Sequence, residues 1–131
     1  MSWTPNEKEI QSVLALPARE RYAHCVKRIA DEERLWSLRK RDGWVLMGDE
    51  AGPEVIPVWP HSKYAARCAT GEWQGALPTE IALDAWFERW IPGLRKVGRL
   101  VGVFPLPHGK AIVVEPDRFE RELREELKHY D

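Results

Sequence analysis

Hydrophobic and polar residues follow a helical period in the first quarter of the chain. Apolar residues recur there at spacings of three, four and seven between charged residues: Tyr22, Cys25, Val26 and Ile29. This spacing predicts an amphipathic helix that faces a core. Because Pro17 lies just before this stretch, we expect the helix to be separated from a shorter helix nearer the N-terminus.

Short apolar runs bounded by turn residues predict strands in the middle of the chain. Residues 35–38 and 44–47 flank a turn at Gly43, which predicts a hairpin. Residues 55–59 form a third run after a further turn. Pro57 within this run has no N–H for a strand ladder, so we expect the strand to lie at a sheet edge or to end there.

A second helical pattern is rich in aromatic residues. Its apolar positions share one face: Leu83, Trp86, Phe87, Trp90, Ile91 and Leu94. Asp84 is suited to the N-terminal cap of this helix, and the pair Pro92 and Gly93 is expected to kink or end it. Three aromatic rings on one face require a large covering surface.

The last part of the chain predicts a second hairpin and a closing helix. Residues 100–104 and 111–114 are apolar runs of strand length, joined by a loop that contains proline and glycine. A helix that begins at Pro116 follows, with Phe119 on its apolar face. The order of elements predicts one α+β domain over residues 1–131, with N- and C-terminal helices and a mostly antiparallel sheet of about five strands.

Composition and charge limit the classes of function. The 131 residues carry a formal net charge of -1, which provides no overall field to attract nucleic acid or an anionic membrane. No apolar run approaches the roughly 18 residues of a membrane span, and the sequence has neither a secretory signal pattern nor a disulfide pattern. We therefore expect a reduced, cytoplasmic, soluble protein without a membrane partner.

Motifs for metal, nucleotide and nucleic-acid binding are weak or lacking. The four histidines form no recognised zinc spacing with cysteine or glutamate, and glycine-rich phosphate loops do not occur. We therefore expect no metal and no cofactor. A basic cluster of Arg39, Lys40 and Arg41 could contact phosphate, but charges at a hairpin tip more often face solvent or protect a sheet edge. Nucleic-acid binding is disfavoured and stays an alternative.

Seven tryptophans are the most informative feature of the composition. Such large rings indicate either a dense core or a recognition surface. Trp59 with Pro60 and His61, and Trp90 with Pro92, each place an indole at the end of a regular element beside a proline. We predict that these five residues line a binding surface, in a groove between the sheet and the aromatic-rich helix. The competing interpretation, which the apolar context favours, is that both rings close the ends of a small core.

Catalytic residues are not predicted. His24 and Cys25 are adjacent, and adjacent side chains on a helix point about 100° apart. His61 and Cys68 have a spacing that can place them on one side of a short helix, where Asp84 could orient the histidine. An enzyme or a small-ligand-binding protein that uses this group stays an alternative. Because no spacing requires a nucleophile, a base and an orienting group to meet, an enzyme is disfavoured.

The order of aromatic and proline-containing motifs is similar to that of a known protein family. These motifs are Trp36-x-Leu38, Asp42-Gly43-Trp44, Ile56-Pro57-Val58-Trp59-Pro60-His61, Gly71-Glu72-Trp73, Trp86-Phe87-x-x-Trp90-x-Pro92-Gly93-Leu94 and Val103-Phe104-Pro105. Over roughly residues 20 to 127, the chain resembles the domain of unknown function 2750 family. The resemblance implies a small bacterial protein in a family whose biochemical role is unassigned, and it implies no catalytic residues.

A weaker likeness, in the order of elements, is to the N-terminal domain of the SseB type. Its basis is the strand Ile56-Pro57-Val58-Trp59 and the late loop Phe104-Pro105-Leu106-Pro107-His108-Gly109. That likeness implies a protein-interaction module. Interaction surfaces are also enriched in aromatic residues, as this chain is. Both features favour a non-enzymatic adaptor or regulatory module whose partner is another protein, and a homo-oligomer stays open.

Overall fold

The computed structural model describes residues 3–48, 51–109 and 111–130, in which helices and short strands alternate along the chain. The α-helices are α1 (Glu7–Leu14), α2 (Ala18–Glu32), α3 (Ser62–Arg67), α4 (Leu83–Ala85), α5 (Ile91–Val97) and α6 (Pro116–Leu127). The strands are β1 (Arg34–Lys40), β2 (Gly43–Trp44), β3 (Val55–Val58), β4 (Leu77–Ala82), β5 (Leu100–Val103) and β6 (Ile112–Val114). A π-helical turn, Trp86–Trp90, connects α4 to α5, and 3₁₀ turns occur at Gly71–Trp73 and Lys128–Tyr130.

The strands of the described residues form two sheets of three strands each. In the first sheet, β1 lies between β2 and β4 and is antiparallel to both. In the second sheet, β5 lies between β3, to which it is parallel, and β6, to which it is antiparallel. The predicted α+β fold is therefore confirmed. The prediction of a sheet with about five strands is wrong.

Pro57 explains why the two sheets do not merge into one. β1 and β3 run side by side, and their backbones exchange hydrogen bonds at Trp36 and Trp59, with N–H···O distances of 2.9 and 2.8 Å. The neighbouring Pro57 has no N–H to donate, and its carbonyl accepts a hydrogen bond from the hydroxyl of Ser37 at 2.6 Å. β3 is thus an outer strand of its sheet, as its proline predicts.

The core contains apolar side chains from helices and from both sheets. α2 and α6 pack against each other, and residues on their predicted apolar faces are buried: Cys25, Val26, Ile29, Phe119 and Leu123. The amphipathic character predicted for both helices is therefore confirmed. Within the described residues, no helix combines the length and the apolar character that crossing a membrane requires.

The aromatic-rich helix does not end at Pro92. A π-helical turn precedes this proline, and the N–H of Ile91 donates to the carbonyl of Trp86. Pro92 then lies in the first turn of α5, where a missing N–H is tolerated. The helix continues to Val97 and ends at Gly98, whose φ of 74° is the left-handed conformation that glycine adopts readily. Of the two predicted outcomes, a kink or an end at Pro92 and Gly93, the end is therefore wrong: the helix changes pitch before the proline and continues.

Candidate functional site

The tryptophans differ in burial, and this difference locates a candidate binding surface. Trp59 and Trp86 are fully buried. The other five are partly exposed: Trp3, Trp36, Trp44, Trp73 and Trp90. A buried ring supports the core, whereas a partly exposed ring still has apolar surface that a partner can cover.

Trp59, the first predicted site residue, belongs to the core. Its side chain is 0% exposed, and its indole N–H donates to the carbonyl of Pro105 at 3.0 Å. Pro60 beside it is buried as well. The ring of Trp73 packs edge to face against Trp59, with 6.4 Å between the ring centroids. Trp59 therefore positions Trp73 and offers no surface of its own to a partner.

Trp59 also helps to hold a strained turn at the end of β5. Phe104 has a φ of 56°, a conformation that a bulky residue other than glycine rarely adopts. Two further donors reach the same turn. The Nε–H of Arg21 donates to the carbonyl of Phe104 at 3.3 Å, and the thiol of Cys68 donates to the carbonyl of Pro105 at 3.4 Å. Three side chains from separate elements thus fix the loop after β5, which allows the strained conformation to persist.

His61 caps a helix. Its ring Nδ1 accepts a hydrogen bond from the backbone N–H of Lys63 at 3.1 Å, which makes this histidine the N-cap of α3. The residue is buried, with 7% of its surface exposed. Burial lowers the pKa of His61, and the positive charges of Arg34 and Lys63 lower it further. A neutral His61 therefore stabilises the start of α3.

The cysteines and histidines of the described residues do not form a hydrogen-bonded catalytic pair. Burial raises the pKa of the Cys68 thiol to about 11, so this thiol is neutral at physiological pH. Burial also raises the pKa of Cys25. Asp84 is exposed and accepts a hydrogen bond from the N–H of Ala85 at 2.7 Å. The alternative of an enzyme that uses Cys68, Asp84 and His61 therefore gains no support from their hydrogen bonds.

Trp90 and Pro92, the remaining predicted site residues, lie at the surface. Trp90 is partly exposed and Pro92 is exposed. The ring of Trp90 stacks on the buried Trp86, with centroids 5.5 Å apart, and meets Trp44 edge to face at 4.8 Å. The five predicted residues therefore divide into two groups. Residues 59–61 are internal, whereas Trp90 and Pro92 are accessible to a partner.

Three shallow depressions adjoin the accessible tryptophans. The first, of about 320 Å³, has Trp73 in its wall and lies beside the loop that follows β5. The second, of about 310 Å³, has Trp73 and Trp44 in its wall and shares Leu46 and Glu72 with the first. The third, of about 300 Å³, has Trp90 in its wall. Because Trp44 contacts Trp90, we call Trp73, Trp44 and Trp90 together the tryptophan row.

The third depression has apolar walls and a basic rim. Trp90, Leu94 and Val97 provide the apolar surface, and 61% of the surface of Val97 is exposed. Arg89, Gly93 and Arg99 complete the lining, and the guanidinium of Arg99 is paired with Glu54 at 3.1 Å. Arg89 is thus the one lining cation without an ion-pair partner among the residues that the structure describes.

Charged side chains of both signs border the second depression. Asp42 and Glu72 are exposed there. The ammonium group of Lys40 donates to the backbone carbonyl of Glu72. The guanidinium group of Arg39 lies over the ring of Trp44, 5.3 Å from its centroid. Two members of the basic cluster are therefore bound to the protein itself.

Two residues of the tryptophan row are absent from the predicted site. Trp44 follows the turn residue Gly43, and Trp73 lies in a 3₁₀ turn that begins at Gly71. Trp44 ends the two-residue outer strand β2 and Trp73 lies in a short turn, so neither ring belongs to a long element that packs a periodic apolar face on the core. A glycine one or two residues before the ring is the signal in the sequence that separates both from Trp86, which lies in a periodic helical pattern.

A protein-family model matches most of the chain. The model of the DUF2750 family, described as a protein of unknown function, matches residues 22–123. The matched region includes the whole tryptophan row as well as Trp59 and His61. No curated protein and no solved structure matches the chain. Because the matched region covers most of the 131 residues, the chain belongs to the DUF2750 family of proteins of unknown function.

Proposed function

We propose that this protein is a non-enzymatic protein-interaction module, and that the tryptophan row docks a segment of its partner. The observation that carries the proposal is the series of partly exposed indoles with a shallow depression beside each. Tryptophan and arginine are enriched among the residues that dominate the binding energy of protein interfaces. In this proposal the protein acts as an adaptor or a regulator of the partner that it binds.

The rings of the tryptophan row are held in place before a partner arrives. Trp73 packs against Trp59, and Trp90 packs against Trp86, and both supporting rings are fully buried. Trp44 is held edge to face against Trp90. A preorganised ring loses little conformational freedom on binding, so burial of its remaining apolar surface contributes more of its free energy to affinity.

The size and shape of the depressions favour a peptide segment over a compact ligand. Each has a volume of about 300 to 320 Å³ and is shallow. Small-molecule sites range from about 300 to 1,000 Å³ and enclose most of the ligand surface. A series of small, open sites instead suits successive side chains of an extended chain. This comparison makes the small-ligand alternative the less favoured one.

The test is a selection from a random peptide display library on the full chain, followed by NMR titration of the purified peptides. The indole N–H signals of the seven tryptophans report on each ring separately. We expect the signals of Trp44, Trp73 and Trp90 to move, and those of the buried Trp59 and Trp86 to stay in place. If no selected peptide moves the signals of the row, the proposal is wrong.

Two exposed valines provide a matched pair of variants. Val97 lines the third depression and is 61% exposed, whereas Val113 on β6 is 45% exposed and does not line the row. Val97→Asp places a carboxylate in an apolar wall, so we expect it to weaken peptides that reach α5. Val113→Asp should leave binding unchanged, and neither surface substitution should prevent folding. Equal losses in both variants would place the binding surface elsewhere.

A further inference from the structure

We infer that the partner segment binds as an added β-strand, paired with the backbone of Trp44 and Leu46 at the outer edge of the first sheet. This inference rests on the proposed function and names the conformation and the composition of the segment that the tryptophan row docks. Three features support it: the direction of the backbone groups at this edge, the lack of residues that protect the edge, and the groove beside it.

The chain that continues from β2 is bonded to its neighbours at every second residue. The N–H of Val45 donates to the carbonyl of Leu38 on β1 at 3.0 Å. Met47 exchanges two backbone hydrogen bonds with Val55, both at 2.8 Å. Val45 and Met47 therefore use backbone groups that point towards β1 and β3.

The residues between these bonded positions, Trp44 and Leu46, have free backbone groups. Trp44 lies opposite Arg39, next to the bonded pair of Val45 and Leu38, so it occupies a non-hydrogen-bonded position of the ladder. The N–H and C=O groups of Trp44 and Leu46 thus point away from β1, and β2 is the outer strand of its sheet. Among the described residues, no hydrogen bond reaches these groups. We call the backbone of Trp44 and Leu46 the open edge.

The open edge lacks the residues that usually protect an outer strand. Proline and charged side chains on such a strand prevent it from pairing with another chain. The outer strand β3 contains Pro57, β4 contains Pro78 and Glu80, and β6 is followed directly by a glutamate and a proline at residues 115–116. Residues 44–47 contain neither proline nor charge. An apolar outer strand of this kind is a template on which an extended segment pairs.

The open edge forms one wall of a groove. Leu46 lines the first and the second depression, Trp44 lines the second, and Glu72 and Trp73 line both. Because the two depressions share these residues, they form one groove between the edge and the turn at Gly71–Trp73. Depressions of about 320 and 310 Å³ have room for the side chains of one segment and not for a folded domain. The occupant is therefore an extended segment of another protein, such as a tail or a loop.

The side chains at the open edge determine the composition of this segment. Trp44 and Leu46 are two residues apart, so their side chains lie on the same face of the sheet, and both are partly exposed. An added strand places every second side chain beside them. Pairs of an aromatic residue with a β-branched or another aromatic residue stabilise neighbouring strands. We therefore expect valine, isoleucine or aromatic residues at alternate positions of the segment.

The first test is amide hydrogen exchange, recorded by NMR on the full chain alone and with the tightest peptide from the library selection. In the free protein, we expect slow exchange at Val45 and Met47 and fast exchange at Trp44 and Leu46. At a peptide concentration of about ten times Kd, exchange at Trp44 and Leu46 should slow by roughly ten-fold, because it then requires release of the peptide. Unchanged exchange at both amides would contradict the inference.

Two methylated versions of the same peptide test the pairing independently. One version carries N-methyl groups at the odd positions and the other at the even positions. An added strand directs only every second N–H group at the edge that it joins. One version should therefore bind roughly ten-fold or more weakly than the parent peptide, and the other should lose much less affinity. Equal losses in the two versions would exclude a paired strand.

Leu46→Pro tests the pairing from the side of the protein. It removes an N–H that has no partner in the free protein, and an outer strand tolerates proline where the N–H faces away from the sheet. Leu46→Val keeps the N–H and an apolar side chain, so it is the matched comparison. We expect the parent peptide to bind Leu46→Pro roughly three- to ten-fold more weakly than Leu46→Val. The same affinity for both variants would be evidence against pairing at Leu46.

The outcomes distinguish this inference from the proposed function. If library peptides move the indole signals of the row without slowing exchange at Trp44 and Leu46, the inference is wrong and the proposed function stands. Slow exchange at these amides without peptide, increasing with protein concentration, would show that a second copy occupies the edge and would also overturn the inference. If no library peptide moves the signals of the row, both proposals are wrong.

Discussion

The indole N–H of Trp59 donates to the carbonyl oxygen of Pro105 across 3.0 Å. This bond ties the end of β3 to the loop that follows β5. Trp86 is equally buried, but its indole N–H has no hydrogen-bond partner among the described residues. Two tryptophans of the same burial thus differ in one hydrogen bond, which allows its contribution to be measured.

We predict that Trp59→Phe lowers the free energy of unfolding more than Trp86→Phe does. Both substitutions remove a similar volume from the core. Trp59→Phe also removes a donor from the buried carbonyl of Pro105, which then keeps only the weak thiol donor of Cys68, and we expect an extra loss of about 1 to 3 kcal/mol. Trp86→Phe instead removes an unpaired polar group. Chemical denaturation measures both losses, and equal values would show that the bond contributes nothing.

Mild acid should destabilise the protein through His61. This residue caps α3 with an unprotonated Nδ1, and burial lowers its pKa below the ordinary value of about 6.5. Between the two pKa values the unfolded chain therefore binds more protons than the folded chain. The contribution of His61 to stability is complete above the unfolded-state pKa and is lost as the pH falls through the folded-state pKa.

The variant His61→Asn tests this pH dependence, because asparagine is a good N-cap that does not titrate. We expect it to lose less stability than the wild type between about pH 7 and pH 5, when denaturation is measured at several pH values. His24 has a pKa that is also lowered by burial, so His24→Gln is measured in parallel. If the free energy of unfolding depends on pH in the same way in His61→Asn and in the wild type, the proposed role of the His61 cap is wrong.

Replacing Gly93 or Gly98 by alanine should change the stability of the protein in opposite directions. Gly93 lies inside α5 with no atom near the position of an added Cβ, whereas Gly98 ends the helix with a φ of 74°. We expect Gly93→Ala to stabilise the fold by roughly 0.5 to 1 kcal/mol, since alanine favours the helix. Gly98→Ala should destabilise it by about 1 to 2 kcal/mol. Thermal melting measures the direction of both changes. A more stable Gly98→Ala variant would contradict the left-handed backbone conformation at Gly98.

A local sequence pattern predicts which side chains are buried when the periodicity of a single helix or strand sets its buried face. Phe119 and Leu123 are buried because α6 is amphipathic. Trp59 and Trp90 show where such patterns fail, since both lie beside prolines but only Trp59 is fully buried. The loop at Pro105 receives the indole N–H of Trp59, whereas Trp90 lies at the surface beside Trp44. These neighbours are distant in the chain, so no local pattern contains them.

The sheet was predicted incorrectly for a related reason. Apolar runs indicate that strands exist, but not which strands pair. β3 pairs in parallel with β5, and a parallel partner is reached only after a long crossover. The separation of the two sheets depends on Pro57, which has no N–H, and on Ser37, whose hydroxyl donates a hydrogen bond to the carbonyl of Pro57. That contact joins residues of two strands whose pairing the sequence does not specify.

Cys68 should be unreactive in the folded protein. Its side chain is 4% exposed, its thiol donates to the carbonyl of Pro105 at 3.4 Å, and burial raises its pKa to about 11. Alkylation requires both access and the thiolate form. We expect iodoacetamide to label Cys68 slowly at neutral pH under native conditions and rapidly in denaturant.

Cys25 provides the internal comparison for this labelling experiment. It is fully buried, and burial raises its pKa as well. Mass spectrometry of the labelled peptides distinguishes the two sites, and slow native labelling of both agrees with thiols that only fill the core. Rapid labelling of Cys68 alone would require a thiolate that is stabilised by a nearby group, which would favour the enzymatic alternative that includes His61 over a purely binding role.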